Sequence, residues 1–452
     1  MFRLIFERLF VVLLLLSSMN ILIALTPLSR EPAKVKAFAA DVDRSSVAIE
    51  GSVYIFGGVL AVMRWRRVLR AAGTVWPLLA LGALAFLSIT WSVEPMVTLR
   101  RSVSLLAATV VAVYLGERYS INGFARLLAQ TLIVMIILVL VLYLFAPEYV
   151  IDYSAYGGAW RGLSAYKNTF GDHMAIAVLL LVLVKFHRFN WIRYLFLLIA
   201  AGLLLLSRSA NAVVCGVLSL AAIPLWHLMR SERRLLVYPL AALILLLGTY
   251  CVLAFPEPLF QILGRDATLT GRTQLWAILL PVIANRPILG YGYAAFWAGL
   301  KPEVLTVWIA AGRLVPVADN GYIDLALSLG AVGVCVLLYV FVQAFRRAIE
   351  YLKSEPGSIG LWPITYFCMF AVYNICESTL LTTGTFPFLV FAILATSVAV
   401  NQKRELASAR TVGNQPFIEE SLLLRSRAGT WVNRDLLSQL FTAPVTHLGR
   451  GR

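Results

Sequence analysis

The sequence has few charged residues for its length. Asp, Glu, Lys and Arg make up 14% of its 452 residues, whereas hydrophobic residues make up 60%. A soluble domain carries nearly twice that share of charge, since about 25% is typical. The composition excludes an ordinary soluble globule and indicates an integral membrane protein. A membrane β-barrel is also excluded, because segments of about ten residues with alternating polarity are missing.

Cysteine pairs and the common metal, nucleotide and hydrolase motifs are also missing. The five cysteines lie in or at the ends of apolar runs without a CxxC spacing, which argues against disulfides or a zinc site. The sequence contains no P-loop, no HExxH and no GxSxG. We therefore expect no metal or nucleotide cofactor. The net charge of +16 does not predict nucleic-acid binding, because no basic segment is interleaved with aromatics on a soluble domain.

Apolar runs long enough to cross a membrane predict about twelve transmembrane helices. We place them near residues 9–26, 46–63, 73–90, 102–117, 123–146, 171–186, 190–206, 211–229, 235–255, 321–344, 360–378 and 384–400. The first run resembles a signal peptide, but the nearest A-x-A triplet, at residues 37–39, lies far beyond it. We interpret this run as an uncleaved first span.

Short connections rich in Lys and Arg predict the orientation of the bundle. Such clusters lie at residues 64–70, 118–126, 185–193, 230–234 and 346–353, and the positive-inside rule places them in the cytoplasm. An even number of spans then puts both termini in the cytoplasm. The predicted fold is an all-α polytopic membrane helix bundle over 1–400, with one large extracytoplasmic loop over 256–320 and a cytoplasmic tail over 401–452. Within the loop we predict a helical segment over 273–284.

The opposite face of the predicted bundle collects cations, for which folding gives no reason. They are Arg100, Arg101, Arg161, Lys167, Arg208 and Arg272, with Asn168 in the same set. Arginine can bind phosphate oxygens in a bidentate manner, and a helix N-terminus favours the same anion. We interpret the set as a site for a lipid that carries a diphosphate. Anchoring at the membrane interface explains Trp91 and several of these arginines equally well.

Three acids lie at the same predicted face. Asp319 precedes span ten, where it can accept a proton from a sugar hydroxyl or cap the helix. Asn320 and Tyr322 follow it and are candidate substrate contacts. Asp324 lies about one turn further into the membrane. Glu377, at the end of span eleven, either pairs with one of the arginines or contacts substrate.

Together these motifs resemble the O-antigen ligase and polymerase superfamily (Wzy/WaaL-like), and within it the ExoQ-type exopolysaccharide polymerases. The resemblance covers segments 91–101, 161–171, 207–209, 271–276, 287–292 and 319–330, which occur in order over about two thirds of the chain. It implies a bundle of roughly a dozen helices in the bacterial inner membrane with one large periplasmic loop. It also implies a glycan donor carried on undecaprenyl diphosphate.

The resemblance implies roles for individual residues as well. Arg161, Arg208 and Arg272 would hold the diphosphate while an acceptor hydroxyl displaces it at the anomeric carbon, without a metal or nucleotide. Ligases of this superfamily carry a histidine, proposed to activate the acceptor, where Asp319 stands here. Either Asp319 is the base, or electrostatic stabilisation of the leaving diphosphate suffices. We predict a polymerase of lipid-linked oligosaccharide repeats, with catalytic roles for Asp319, Arg161 and Arg272.

Two alternatives are open at this point. A ligase that transfers the glycan to a lipid or another acceptor would have the same fold. A glycan-lipid transporter without chemistry would instead have polar residues at mid-membrane and broken helices in matching halves. The partners to be expected are the undecaprenyl-diphosphate-linked oligosaccharide and the lipid bilayer, with chain-length regulators and export proteins as further candidates and no nucleic acid.

Overall fold

Helices dominate the part of the protein that the computed structural model describes, namely residues 2–19, 21, 44–153, 158–186, 190–229, 271–355, 357–382 and 385–413. The prediction of an all-α membrane protein is confirmed as far as the helical content of the described residues is concerned. The chain divides into two compact units, Met1–Gln402 and Lys403–Arg452. All contacts given below lie within the first unit.

The helices follow one another with short connections. They are α1 (Phe2–Ser18), α2 (Arg44–Met63), α3 (Trp65–Ala72), α4 (Trp76–Leu87), α5 (Pro95–Arg118), α6 (Ile121–Phe145), α7 (Lys167–Leu183), α8 (Asn190–Leu206), α9 (Ala210–Met229), α10 (Arg272–Asn285), α11 (Pro302–Ala311), α12 (Gly321–Ser354), α13 (Trp362–Tyr373) and α14 (Phe386–Gly413). Within the described residues, 3-10 turns lie at Ser88–Thr90, Pro147–Tyr149 and Ser358–Leu361. Strands β1 (Ile151–Asp152) and β2 (Ala159–Trp160) pair antiparallel, with Ile151 opposite Trp160.

A described helix overlaps each predicted span except the ninth, but the bounds differ: α1 covers Phe2–Ser18 where 9–26 is predicted, and α13 covers Trp362–Tyr373 where 360–378 is predicted. The ninth predicted span, 235–255, lies outside the described residues. Four described helices are long and apolar enough to cross a membrane: α5, α6, α12 and the Phe386–Leu406 part of α14. The segments Trp65–Ala72 and Trp76–Thr90 pass the same test together, with a bend of 91° between them. A multi-pass membrane protein is confirmed, and the count of twelve spans stays a prediction.

The core consists of aliphatic and aromatic side chains between the helices. Helix α7 is buried along most of its length and packs against α6, α8, α9 and α13. The ring of Phe391 on α14 stacks on Phe370 of α13 with 4.9 Å between ring centroids, and it meets Phe341 of α12 edge-on at 5.3 Å. The Tyr373 hydroxyl donates to the Asn168 carbonyl at 3.2 Å, which places the end of α13 beside the beginning of α7.

Helix α12 is broken at Gly330, whose backbone has φ 61° and ψ −160°. The segment 287–292 runs beside the break and supplies its hydrogen bonds. The Tyr291 N–H donates to the carbonyl of Leu327 (2.8 Å), and the Ala331 N–H donates to the carbonyl of Pro287 (2.8 Å). These bonds replace the intrahelical bonds that a break leaves open, which a membrane environment requires. The first part of α12 is therefore held by the loop that precedes it in the chain.

Candidate active site

The centre of the site is Arg272, the first residue of α10. Its Nη2 lies 2.9 Å from Oε1 of Glu377, and its Nε lies 3.7 Å from Oδ2 of Asp319. All three side chains are between 15% and 30% exposed. Helix α10 covers the predicted segment 273–284. Of the two alternatives for Glu377, pairing with an arginine is the one that the structure shows.

The beginning of α7 supplies a second donor to Glu377. Asn168 Nδ2 donates to the same Oε1 at 2.7 Å, and the Tyr373 hydroxyl donates to the Asn168 carbonyl at 3.2 Å. Helix α7 begins at Lys167, four residues before the predicted start at 171. Polar residues fit this first turn because its N–H groups have no intrahelical acceptor. Asn168 is thereby placed inside the site.

The helix cap of α12 is Asn320, and the interpretation of Asp319 as the cap is wrong. Asn320 Oδ1 accepts hydrogen bonds from the N–H groups of Tyr322 (2.9 Å) and Ile323 (3.1 Å). Asp319 lies outside the helix with φ 52°. The Tyr322 hydroxyl donates to the carbonyl of Ala371 (2.8 Å), which attaches α12 to α13. Asp319 therefore keeps its carboxylate for the ion pair with Arg272.

Asp324 is held by hydrogen bonds on both carboxylate oxygens. Oδ1 accepts from the indole N–H of Trp297 at 2.7 Å. The Ala318 N–H lies 3.2 Å from Oδ1 and 3.1 Å from Oδ2, and the Ser378 hydroxyl donates to Oδ2. With these partners, Asp324 fixes the turn before α12.

Ser378 completes a clamp around Asp319. Its Oγ also accepts from the Asn320 N–H at 3.1 Å. The backbone N–H groups of Ala318 and Asn320, on either side of Asp319, are thus both held by the Asp324–Ser378 pair. A positive φ is costly for a residue with a side chain, and such a conformation persists where its surroundings fix it. Sequence reasoning did not assign Ser378 or Trp297 to the site around Asp319, because a single serine or tryptophan carries no motif.

Burial and charge shift the pKa values of the two acids at Arg272. Burial raises the pKa of Glu377 to about 7; Asp319 adds to this rise, and Arg272 and Asn168 oppose it. Burial also raises the pKa of Asp319 above its ordinary value, against the opposing charges of Arg272 and Arg313. An acid that titrates near neutral pH suits proton transfer at physiological pH.

The other predicted cations outside the cavity lie at or near the beginning of α7. Arg161 precedes α7, and its Nη2 donates to the carbonyl of Glu148 at 3.4 Å. Lys167 is half-buried at the first position of α7, and Arg208 is exposed in the turn between α8 and α9. That turn packs closely on α7, since a Cβ atom at Gly171 would lie 2.8 Å from Ser209 Cβ. Direct contacts join Arg272, Glu377, Asp319 and Asn168, whereas the guanidinium of Arg161 donates to the backbone carbonyl of Glu148.

A cavity of about 630 Å³ lies beside the centre. Its walls come from α5, from the segment 293–300, from the beginning of α12 and from residues 378–382. The polar and aromatic side chains on the wall include Arg100, Arg101, Tyr293, Trp297, Trp308, Asp324 and Ser378. Arg100 and Arg101, which the sequence predicts as a pair of substrate contacts, thus lie at the same end of the bundle as Asp319.

The segment before α5 holds the loop that forms one wall of this cavity. The indole N–H of Trp91 donates to the carbonyl of Leu289 at 2.9 Å, and Lys301 forms an ion pair with Glu94 at 2.8 Å. These contacts tie residues 286–301 to residues 88–98. Trp91 therefore has a structural role in holding the loop, which the interpretation as an interfacial anchor did not include.

Comparison with known proteins supports the resemblance predicted from the motifs. A family described as O-antigen ligase matches residues 194–338, a range that contains Arg208, Arg272 and Asp319. The exopolysaccharide production protein ExoQ of Rhizobium meliloti (strain 1021) is 26% identical over 328 residues, which cover 68% of this chain and 73% of that protein. Within the residues that the structure describes, no group of His, Cys, Asp or Glu is arranged to hold a metal ion.

The clamp around Asp319 leads to a prediction about Ser378. Ser378→Ala removes the donor to Asp324 and the acceptor for the Asn320 N–H, and we expect it to destabilise the protein by about 1–3 kcal/mol. Thermal unfolding of the purified protein in detergent measures this. Ser354→Ala, at an exposed position at the end of α12, is the control and should change little. Equal unfolding temperatures for the Ser378 variant and wild type would show that the clamp is unimportant.

Proposed function

We propose that this chain, which resembles the O-antigen ligase and polymerase superfamily, joins lipid-linked oligosaccharide repeats into an exopolysaccharide. The repeats would be carried on undecaprenyl diphosphate at the periplasmic face of the bacterial inner membrane. The observation that carries the proposal is the contact of Arg272 with both Glu377 and Asp319 beside a large cavity. The similarity to ExoQ favours a polymerase.

The ends of the helices support a periplasmic location for the site. Helix α5 runs from the cavity at Arg100 to Arg118, and α12 runs from the site at Gly321 to the basic segment 346–353. Basic connections mark the cytoplasmic side. The site would then lie at the opposite, periplasmic side, and both termini would be cytoplasmic.

The acids would receive the proton that glycosyl transfer releases. The acceptor hydroxyl oxygen forms a bond to the anomeric carbon, while the bond from that carbon to the diphosphate oxygen breaks. The diphosphate leaves with the electron pair of that bond. The hydroxyl proton passes to the pair of acids, in which Glu377 has a pKa of about 7. Arg272 keeps part of this pair ionised, so that a base is present at neutral pH.

The role of Arg272 leads to a prediction about turnover. Arg272→Gln removes the cation that orients both acids, and we expect the rate of undecaprenyl diphosphate release to fall about 100-fold or more. Arg272→Lys should also be impaired, because an ammonium cannot replace the geometry of a guanidinium between two carboxylates. The assay uses purified protein with lipid-linked repeats. Arg346→Gln, exposed towards the other end of α12, is the matched control, and a normal rate for Arg272→Gln would contradict the proposal.

A ligase is the second candidate, because the matching family is described as O-antigen ligase. The two candidates differ in the lipid-linked glycans of a cell that carries only the Arg272→Gln variant. A polymerase defect leaves single repeats on the lipid. A ligase defect leaves finished polymer on the lipid, and that result would favour the second candidate.

The raised pKa of Glu377 leads to a prediction about pH. If Glu377 accepts the proton, the rate should rise with pH through about 7 as its carboxyl ionises. Glu377→Gln should remove this dependence and lower the maximal rate. Because the pKa of Glu377 is higher in the folded than in the unfolded protein, protonation of this carboxyl favours the folded state. Its contribution to stability is full at low pH and is lost as pH rises through about 7. Rates measured between pH 5 and 9 in wild type and variant test this, and an unchanged profile in Glu377→Gln would assign the proton to another group.

A further inference from the structure

Helix α3 turns across the end of the bundle and does not continue a span. A bend of 91° separates it from the segment Trp76–Thr90, which forms most of the third predicted span. Helix α3 packs on α5, and its Val68 and Ala71 are buried. A helix at a right angle to a membrane span lies along the membrane surface.

The exposed side of α3 carries an apolar row and a cationic row. Trp65 and Leu69 form the apolar row and are 54% and 60% exposed. Arg66 and Arg70 form the cationic row, and the Arg70 Nε donates to the Arg66 carbonyl at 3.2 Å. Residues four apart lie one above the other on a helix. The two rows are adjacent, because each arginine directly follows one member of the apolar row.

Such a helix fits the boundary between the hydrocarbon and the headgroups of a bilayer. Tryptophan is favoured at that depth, and an arginine there extends its guanidinium to the polar side. The guanidinium of Arg66 lies 5.4 Å from the ring centre of Trp65, so the two rows meet at this contact. The apolar row would face hydrocarbon while the cationic row reaches the lipid phosphates.

The acid that neighbours α3 at the end of α5 is already paired. Glu117 lies 3.9 Å from Arg64, the residue before α3. Within the described part of the chain, no carboxylate lies within ion-pair distance of Arg66, Arg67 or Arg70. Like charges four residues apart on a helix destabilise it. An anion bound between Arg66 and Arg70 would relieve this repulsion.

We propose that α3 binds the headgroups of anionic phospholipids in the cytoplasmic leaflet, with Arg66 and Arg70 on the phosphate and Trp65 and Leu69 in the hydrocarbon. Guanidinium groups bind phosphate oxygens in a bidentate manner. A headgroup with a net negative charge attracts a basic segment more strongly than a zwitterionic one. This surface lies at the Glu117 end of α5, opposite the end that lines the cavity, and it is independent of the proposed function.

Native mass spectrometry of the purified full-length protein, mixed with equal amounts of phosphatidylglycerol and phosphatidylcholine, tests this assignment. We expect wild type to retain phosphatidylglycerol in preference to phosphatidylcholine. Arg66→Gln with Arg70→Gln should weaken phosphatidylglycerol binding about tenfold or more, because two charges next to the phosphate are lost.

Arg346→Gln with Lys353→Gln is the matched control. It removes two exposed cations from the end of α12 and so makes the same change in net charge. We expect it to weaken phosphatidylglycerol binding less than about threefold, because exposed charges away from the bound headgroup are screened. Leu69→Gln tests the apolar row and should weaken binding about threefold or more, because an apolar side chain in hydrocarbon is replaced by a polar one.

Several results would overturn the assignment. Equal retention of both lipids by wild type would remove the anionic headgroup as the ligand. An unchanged preference in the Arg66 and Arg70 variant would leave these arginines to another anion, such as an acidic surface of a protein. An equal loss in the control pair would show that net charge, and not α3, attracts the lipid. Unchanged binding in Leu69→Gln would contradict the placement of the apolar row.

Single variants keep the test decisive if the double variant does not fold. Arg66→Gln and Arg70→Gln are then measured separately, and each must weaken phosphatidylglycerol binding. Normal binding in both single variants would contradict the proposal.

Discussion

One guanidinium shared between two carboxylates organises this end of the protein. Arg272 contacts both Glu377 and Asp319, which come from the connection after α13 and the turn before α12. Acids in a partly buried site are stable as anions only near a cation. With one arginine in direct contact with two acids, burial still raises the pKa of Glu377 to about 7. Because one cation faces two acids, Glu377 can exchange a proton near neutral pH, and the proposed chemistry depends on this exchange.

The irregular backbone around this contact is held by specific hydrogen bonds. The break at Gly330 is satisfied by the segment 287–292, and the positive φ of Asp319 lies between two N–H groups held by Asp324 and Ser378. Non-helical backbone at membrane depth is tolerated where protein groups satisfy it. The same segment is tied to residues 88–98 and is followed directly by residues 293–300, which form part of the cavity wall. The fold therefore places the cavity next to the contacts of Arg272 with Glu377 and Asp319.

Much of the helical framework could be predicted from sequence, because the apolar runs at 102–117 and 123–146 are long and uninterrupted. The sequence also predicted the helix after Gly271, from local signals. It predicted a pairing of Glu377 with an arginine as one alternative, because an isolated acid at the end of a span needs a partner. The choice of Arg272 as the partner depends on a contact across 105 residues, which one sequence does not reveal. Asp319 and Asn320 are both good caps by residue type, and their roles are separated by the capping hydrogen bonds that Asn320 accepts and by the ion pair of Asp319 with Arg272. Gly330 looks like an ordinary packing glycine inside an apolar run, so the break in α12 had no signal.

The membrane orientation stays a prediction. So do the twelve spans and the loop over 256–320, because residues 230–270 lie outside the described part of the chain. The contacts at Arg272 do not depend on them. The proposed chemistry depends on the two acids at Arg272 taking the proton of the acceptor. The most direct measurement is the rate of undecaprenyl diphosphate release by a protein with Asp319→Asn and Glu377→Gln together. We expect a folded protein that releases almost no product, and release at the wild-type rate would contradict this role of the two acids.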